Sequence, residues 1–181
     1  PTVVEGLSTW DCIYFGNYQQ GDSVQPIKWR VLEVKDTDDD GKIDDAFVLA
    51  DRLLGNRVYN DIKTGTWETC TLRQWLNNDF INSTFTTEEQ NAIRITSVVN
   101  NDNPKYGTEG GNNTNDKIYL LSLAEITKSS YGFPANYYST ATRKARNTAY
   151  VASKSGMYSE GSADIYWLRS PGYDTSDAAR V

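Results

Sequence analysis

Residues 26–54 constrain the fold most. PIKWRVLEVK (26–35) alternates, with Ile27, Trp29, Val31 and Leu32 set against Lys28, Arg30 and Glu33. A period of two marks a strand with one buried face. AFVLADRLL (46–54) is a second apolar run, and DTDDDGKIDD (36–45) lies between the two. Two strand-like runs around so polar a segment predict a hairpin with the aspartates at its tip.

That tip admits two chemistries. Asp36, Asp38 and Asp40 alternate before Gly41 bends the chain. Calcium takes roughly six to eight oxygens at about 2.3–2.6 Å, and alternate carboxylates on a tight turn can converge on it. Lys42, through its backbone carbonyl, and Asp44 extend the ligand set. Phe47 stands where an EF-hand carries its bidentate glutamate, so a full EF-hand is excluded. A shorter D-x-D-x-D-G-x-x-D calcium turn, as in extracellular repeat proteins, is not. The other reading is a solvated tip of mutually repelling carboxylates.

Other segments read as short elements. TWDCIYFGNY (9–18) is an apolar, aromatic strand. TCTLRQWLNNDFI (69–81) is helical, with Leu72, Trp75, Leu76 and Phe80 at three- and four-residue spacing and Thr69 or Thr71 as cap. TTEEQNAI (86–93) is a short helix with a threonine cap and glutamates in its first turn. RITSVVN (94–100) reads as a strand. Residues 100–116 form a long polar loop with nothing to build a core. KIYLLS (117–122) reads as a buried strand, with Ser122 and Glu125 as a capping box for a helix in SLAEITKSS. Residues 130–142 are irregular, TRKARNTAYVAS (142–153) reads as a helix and DIYWLRSPG (164–172) as a strand entering a turn. The expected class is α+β, one domain over 1–181: short mixed and antiparallel strands, two or three short helices and long irregular loops.

Composition narrows the function. Eighteen basic against 24 acidic residues give a net charge of −6. This argues against nucleic acid, whose partners carry a basic face. No apolar run approaches the ~20 residues of a membrane span. Histidine is absent, which removes Ser–His–Asp triads, Cys–His dyads and histidine zinc sites. Pro1 as first residue reads as the start of a piece cut from something longer. Richness in Tyr, Asn, Thr, Ser and Gly has an extracellular character. Cys12 and Cys70 are the only cysteines. A bridge between them would close a loop of about 59 residues, worth roughly 4 kcal/mol by chain entropy. The alternative is two buried free thiols.

TWDCIYFGNY, PIKWRVL, TWETCTLRQWLNNDF, KIYLLSLAE and YWLRSPG occur in that order. Together they resemble an uncharacterised domain family of secreted and surface-anchored proteins of Gram-positive gut bacteria, over about Thr9 to Gly172. The resemblance implies an extracellular or cell-surface location, no transferable activity, and a Cys12–Cys70 disulfide. More distantly it resembles C-type-lectin-like folds, although the lectin calcium motifs E-P-N, Q-P-D and W-N-D are missing. Family members continue through a further strand after W-L-R-S-P-G. Here the chain stops at Asp177–Val181, so the expectation is a domain lacking its C-terminal closing strand, with completion by another chain as one option.

Candidate chemistry follows. Glu68, Asp79, Glu88, Glu89, Glu109, Glu125 and Asp164 could supply a glycosidase pair, and Cys70 near a helix start could be a nucleophile. Trp67, Trp75 and Trp167 with Arg73 and Arg169 form either a sugar platform or a core with arginines tying down loops. The preferred ligand-binding set is loop tyrosines, amides and carboxylates: Tyr106, Glu109, Asn112, Asn113, Tyr137, Tyr138, Tyr173 and Asp174. Tyr- and Asn-rich loops suit adaptable polar recognition. The expected function is a non-catalytic, extracellular ligand-binding domain for a glycan or surface protein. Calcium at Asp36, Asp38, Asp40, Lys42 and Asp44 would stiffen a hairpin. Alternatives are an assembly module of a larger surface protein and a glycoside hydrolase.

Overall fold

The computed structural model describes residues 1–137, 140–154 and 156–181. Its strands are β1 (Thr2–Val4), β2 (Leu7–Thr9), β3 (Cys12–Gln19), β4 (Val24–Lys35), β5 (Asp45–Ala50), β6 (Arg52–Leu53), β7 (Thr96–Val98), β8 (Thr114–Asp116), β9 (Ala145–Asn147), β10 (Ala163–Asp164), β11 (Trp167–Pro171) and β12 (Ala178–Arg180). The helices are α1 (Thr71–Trp75), α2 (Ile81–Thr84), α3 (Thr87–Ala92) and α4 (Ala149–Ala152), with a π-helical stretch at Leu76–Phe80 joining α1 to α2. The class is α+β. The chain divides into two compact units, one of 1–15, 19–54 and 124–164, the other of 16–18, 55–123 and 165–181.

In the first unit β4 pairs antiparallel with β5 from Trp29↔Ala50 to Lys35↔Asp45, so the aspartate run is the hairpin tip. The sheet order is β3-β4-β5. Alternation along β4 buries Ile27, and Leu32 is buried at a shift in pairing register between Val31 and Glu33. With Ile126, Phe133 and Val151 they are among this unit's most buried side chains. β1 and β2 form a tight hairpin, Val4 opposite Leu7. Glu5 and Gly6 at its turn have φ of 49° and 77°, the pair of positive values a type I′ turn requires. A second sheet, β10-β9-β6, contains a parallel pair, β6 with β9.

In the second unit the helical run from Thr71 to Thr84 buries Leu72, Leu76 and Phe80 of the predicted stripe and Ile81 beyond it, while Trp75 stays half-buried. Its cap is Cys70, where Thr69 or Thr71 was expected; the sulfur accepts from the Arg73 amide at 3.4 Å. α3 starts with a capping box in which Thr86 and Glu89 satisfy each other's amides. β11 pairs with β12, Trp167↔Arg180 and Pro171↔Ala178.

Four expectations are corrected. Lys117–Ser122 is not a strand: Asn77 Oδ1 accepts from the amides of Lys117 and Ile118, and Asn77 Nδ2 donates to the Ile118 carbonyl. One side chain does there what a neighbouring strand would do. SLAEITKSS forms two short 3-10 turns, Glu125–Thr127 and Ser129–Tyr131, the first beginning after Ala124 without a side-chain cap. The segment 142–153 divides into β9 and α4, because Thr148 caps a new helix through the Val151 amide. Residues 100–116 do contribute to a core: Asn100, Asn103, Thr114 and Asp116 are buried, and β8 pairs with β7.

Candidate functional site

The WETCTLR motif builds a buried polar knot in the second unit. Arg73 Nε lies 2.7 Å from Asp116 Oδ1, and the Asp116 side chain is 1% exposed. The other carboxylate oxygen accepts from Trp67 Nε1 at 3.0 Å and Thr114 Oγ1 at 2.7 Å. Arg73 Nη1 also donates to the Glu68 carbonyl at 2.9 Å. A buried carboxylate is tolerated only when paired and hydrogen-bonded, and this one is both. Trp67 is fully buried and offers no platform. Arg169 donates to the carbonyls of Leu120 and Val99. Both arginines therefore tie loops down. Trp75 carries the Arg57 guanidinium 3.9 Å from its ring centroid.

On this frame two of the expected binding residues meet. Tyr106 and Tyr173 stand edge to face, centroids 5.0 Å apart and 72° between planes. They are 46% and 71% exposed. Thr108 Oγ1 donates to the Tyr173 carbonyl at 2.9 Å. Buried Asn103 donates to the carbonyls of Pro171 and Gly172 and accepts the amides of Lys105 and Tyr106. Two distant loops are thereby clasped by one amide. Asp174 is exposed and closes its own turn, accepting from the Ser176 hydroxyl and amide, and both bonds hold its carboxyl below the usual value.

The remaining candidates behave differently. Asn112 donates through backbone and side chain to Glu68, and Asn113 accepts the Asn100 amide; both brace the loop. Glu109 is exposed beside them. Tyr137 is exposed but belongs to the first unit, and Tyr138 lies outside the described residues. Of the carboxylates considered for hydrolysis, Glu68 holds Asn112, Glu89 caps α3 and Asp164 accepts from Asn147.

In the first unit, carboxylate oxygens of Asp36, Asp38 and Asp40 lie within 4.8 Å of one another. Asp36 accepts the amides of Asp40 and Gly41, and Asp39 and Gly41 take φ of 60° and 86° to close the turn. Three convergent carboxylate oxygens are the hard ligand type calcium takes, and they supply at most half of the roughly six to eight it needs. The Lys42 ammonium lies 3.2 Å from Asp40 Oδ2. Asp44 spends its carboxylate on the amide and hydroxyl of Thr37. Of the four carboxylates expected at the ion, those of Asp36, Asp38 and Asp40 converge.

The expected disulfide is not formed. Cys12 is an exposed free thiol and Cys70 a buried one. Cys70 is occupied as a helix cap and donates to the Trp67 carbonyl at 3.5 Å. Burial pushes its pKa up, which opposes a nucleophilic role.

Asn77, Asn103 and Asp116, which position these loops, escaped the sequence reading. Each sits in a polar stretch, and only its distant partners reveal its task. No curated protein and no solved structure matches the chain. Residues 44–181 match the family described as a domain of unknown function, DUF6273, so the chain that builds this knot and its tyrosine pair belongs to the DUF6273 family.

Proposed function

We propose that the chain is a non-catalytic recognition domain of an extracellular or surface protein, with a glycan as its ligand. The observation that carries this reading is the exposed Tyr106–Tyr173 pair on loops clasped by Asn103. A ligand meeting rings already held in place loses less ordering entropy on binding. Tyrosine combines apolar area with a hydroxyl, which suits sugars and polar protein surfaces. A C-type-lectin-like scaffold belongs to the same reading. Calcium at Asp36, Asp38 and Asp40 would supply positive charge that relieves their mutual repulsion and stiffens the β4–β5 hairpin.

The test is a glycan array probed with the domain in calcium and again in chelator, beside Tyr106→Ala and Tyr173→Ala. The expected result is binding in both conditions, weakened about tenfold or more by either substitution, as for exposed aromatic anchors. Absence of any hit would move the reading to a protein partner. A second reading, an assembly module, draws on the β1–β2 hairpin, where Val3, Val4 and Leu7 are 55%, 63% and 68% exposed. Concentration-dependent self-association abolished by Leu7→Asp would favour it.

A further inference from the structure

The second unit contains a cleft of about 300 Å³, at the small end of the ~300–1,000 Å³ range of ligand pockets. Trp167 and Tyr59 form its aromatic wall, with ring centroids 5.8 Å apart and planes tilted by 56°. Asp61, Lys63, Ser176 and Asp177 are on its polar side. The wall is held in place before any ligand arrives. Trp167 Nε1 donates to the Arg57 carbonyl at 3.1 Å, and the Tyr59 hydroxyl donates to the Arg169 carbonyl at 3.3 Å. Ser176 already donates its hydroxyl to Asp174, but the charged groups of the polar side are not committed in this way. Among the described residues, the side chains of Asp61, Lys63 and Asp177 serve no hydrogen bond or ion pair of the fold.

Each ligand class can be weighed against that lining. An anion would face Asp61 and Asp177. A basic ligand would face Lys63, and the Arg180 guanidinium already lies 5.5 Å from the Trp167 centroid. A purely apolar ligand would strip water from three charged groups without replacing their hydrogen bonds, which is costly. A neutral saccharide ring meets none of these objections. Its C–H face packs on aromatic carbon, and its hydroxyls donate to the carboxylates and to the Ser176 hydroxyl oxygen and accept from the lysine ammonium.

We propose that this cleft is a saccharide subsite that takes one neutral sugar ring against Trp167. The proposal rests on the glycan reading above and gives it a second anchor. The turn that presents Tyr173 also supplies Ser176 and Asp177 to the cleft.

The experiment follows the tryptophan indole N–H signals of the ¹⁵N-labelled domain during titration with N-acetylglucosamine, galactose, mannose and chitobiose. Trp167→Phe identifies the Trp167 signal. The expected result is a saturable shift of that signal by at least one sugar while the buried Trp67 signal stays in place. Asp61→Asn and Asp177→Asn should each weaken that sugar about tenfold without lowering Tm, since neither carboxylate holds the fold. A sugar that binds without moving the Trp167 signal, at undiminished affinity in both variants, removes the cleft and leaves the glycan reading standing. No sugar binding here, with an empty array, removes both. A Trp167 shift with tetramethylammonium chloride but with no sugar reassigns the cleft to cations and overturns the proposal.

Discussion

Arg73 and Asp116 form an ion pair of 2.7 Å in which the carboxylate is almost wholly shielded from water. Removing Arg73 would leave a buried carboxylate without its counter-charge, and removing Asp116 takes the acceptor from a partly exposed guanidinium and from two further donors. Asp116→Ala is therefore expected to cost at least about 2 kcal/mol, because buried Trp67 and Thr114 lose their acceptor, at about 1–3 kcal/mol for each unsatisfied group. Urea unfolding of the variant measures it. A loss below about 1 kcal/mol, the scale of an exposed pair, would mean that the knot is not what holds this unit.

Gly16 has φ of +67°, and a Cβ there would sit 2.4 Å from Phe85 Cε1. Gly16→Ala combines left-handed strain with overpacking, about 1–3 kcal/mol for the latter. Gly6 has φ of +77° with open space around it, so Gly6→Ala isolates the backbone part. Thermal unfolding should rank Gly16→Ala clearly below Gly6→Ala. Equal losses would show that Phe85 yields freely.

Glu89 accepts the Thr86 amide at 2.8 Å and the Gly16 amide at 3.0 Å, and these bonds hold its pKa below the usual carboxylate value. A depressed folded pKa adds stability above the unfolded value, near 4.5. That stability is lost as pH falls through the folded value. Wild type should exceed Glu89→Gln in stability at neutral pH, and the two curves should converge in acid. A constant gap from neutral pH to pH 3 would contradict the linkage.

The two thiols should differ in access. Cys12 is exposed and Cys70 buried at a helix start. In the folded protein a thiol reagent such as DTNB should titrate one group quickly, and the second only on unfolding. A reagent-silent protein that gains two thiols on reduction would restore the Cys12–Cys70 bridge.

Calcium bound at Asp36, Asp38 and Asp40 would stabilise the folded state by about 2.7 kcal/mol at a hundredfold excess over Kd. The expected outcome is a Tm that rises with calcium and falls back in chelator, with Asp38→Asn abolishing the rise. A Tm indifferent to calcium in wild type assigns the turn to solvent.

Some of this molecule was legible in local pattern. Alternation over 26–35, followed by a polar run and a second apolar run, specified the β4–β5 hairpin and its aspartate tip. Helical spacing from Leu72 to Phe80 specified the buried stripe, and Thr86 with its following glutamates specified α3. These features depend on residues within a turn or a strand of each other, where period and capping chemistry are decided.

Tertiary structure alone decided the rest. Asn77 replaces a strand for Lys117 and Ile118, Asn103 clasps the loops of Tyr106 and Tyr173, and Asp116 becomes the acceptor of Arg73 and Trp67. A polar side chain in a polar stretch looks solvated until the chain returns to bury it. Its partner is then set by which backbone passes within hydrogen-bond reach, and unsatisfied buried groups are too costly to leave unpaired. Cys70 likewise looked like half of a bridge, and in the folded chain its buried sulfur caps a helix.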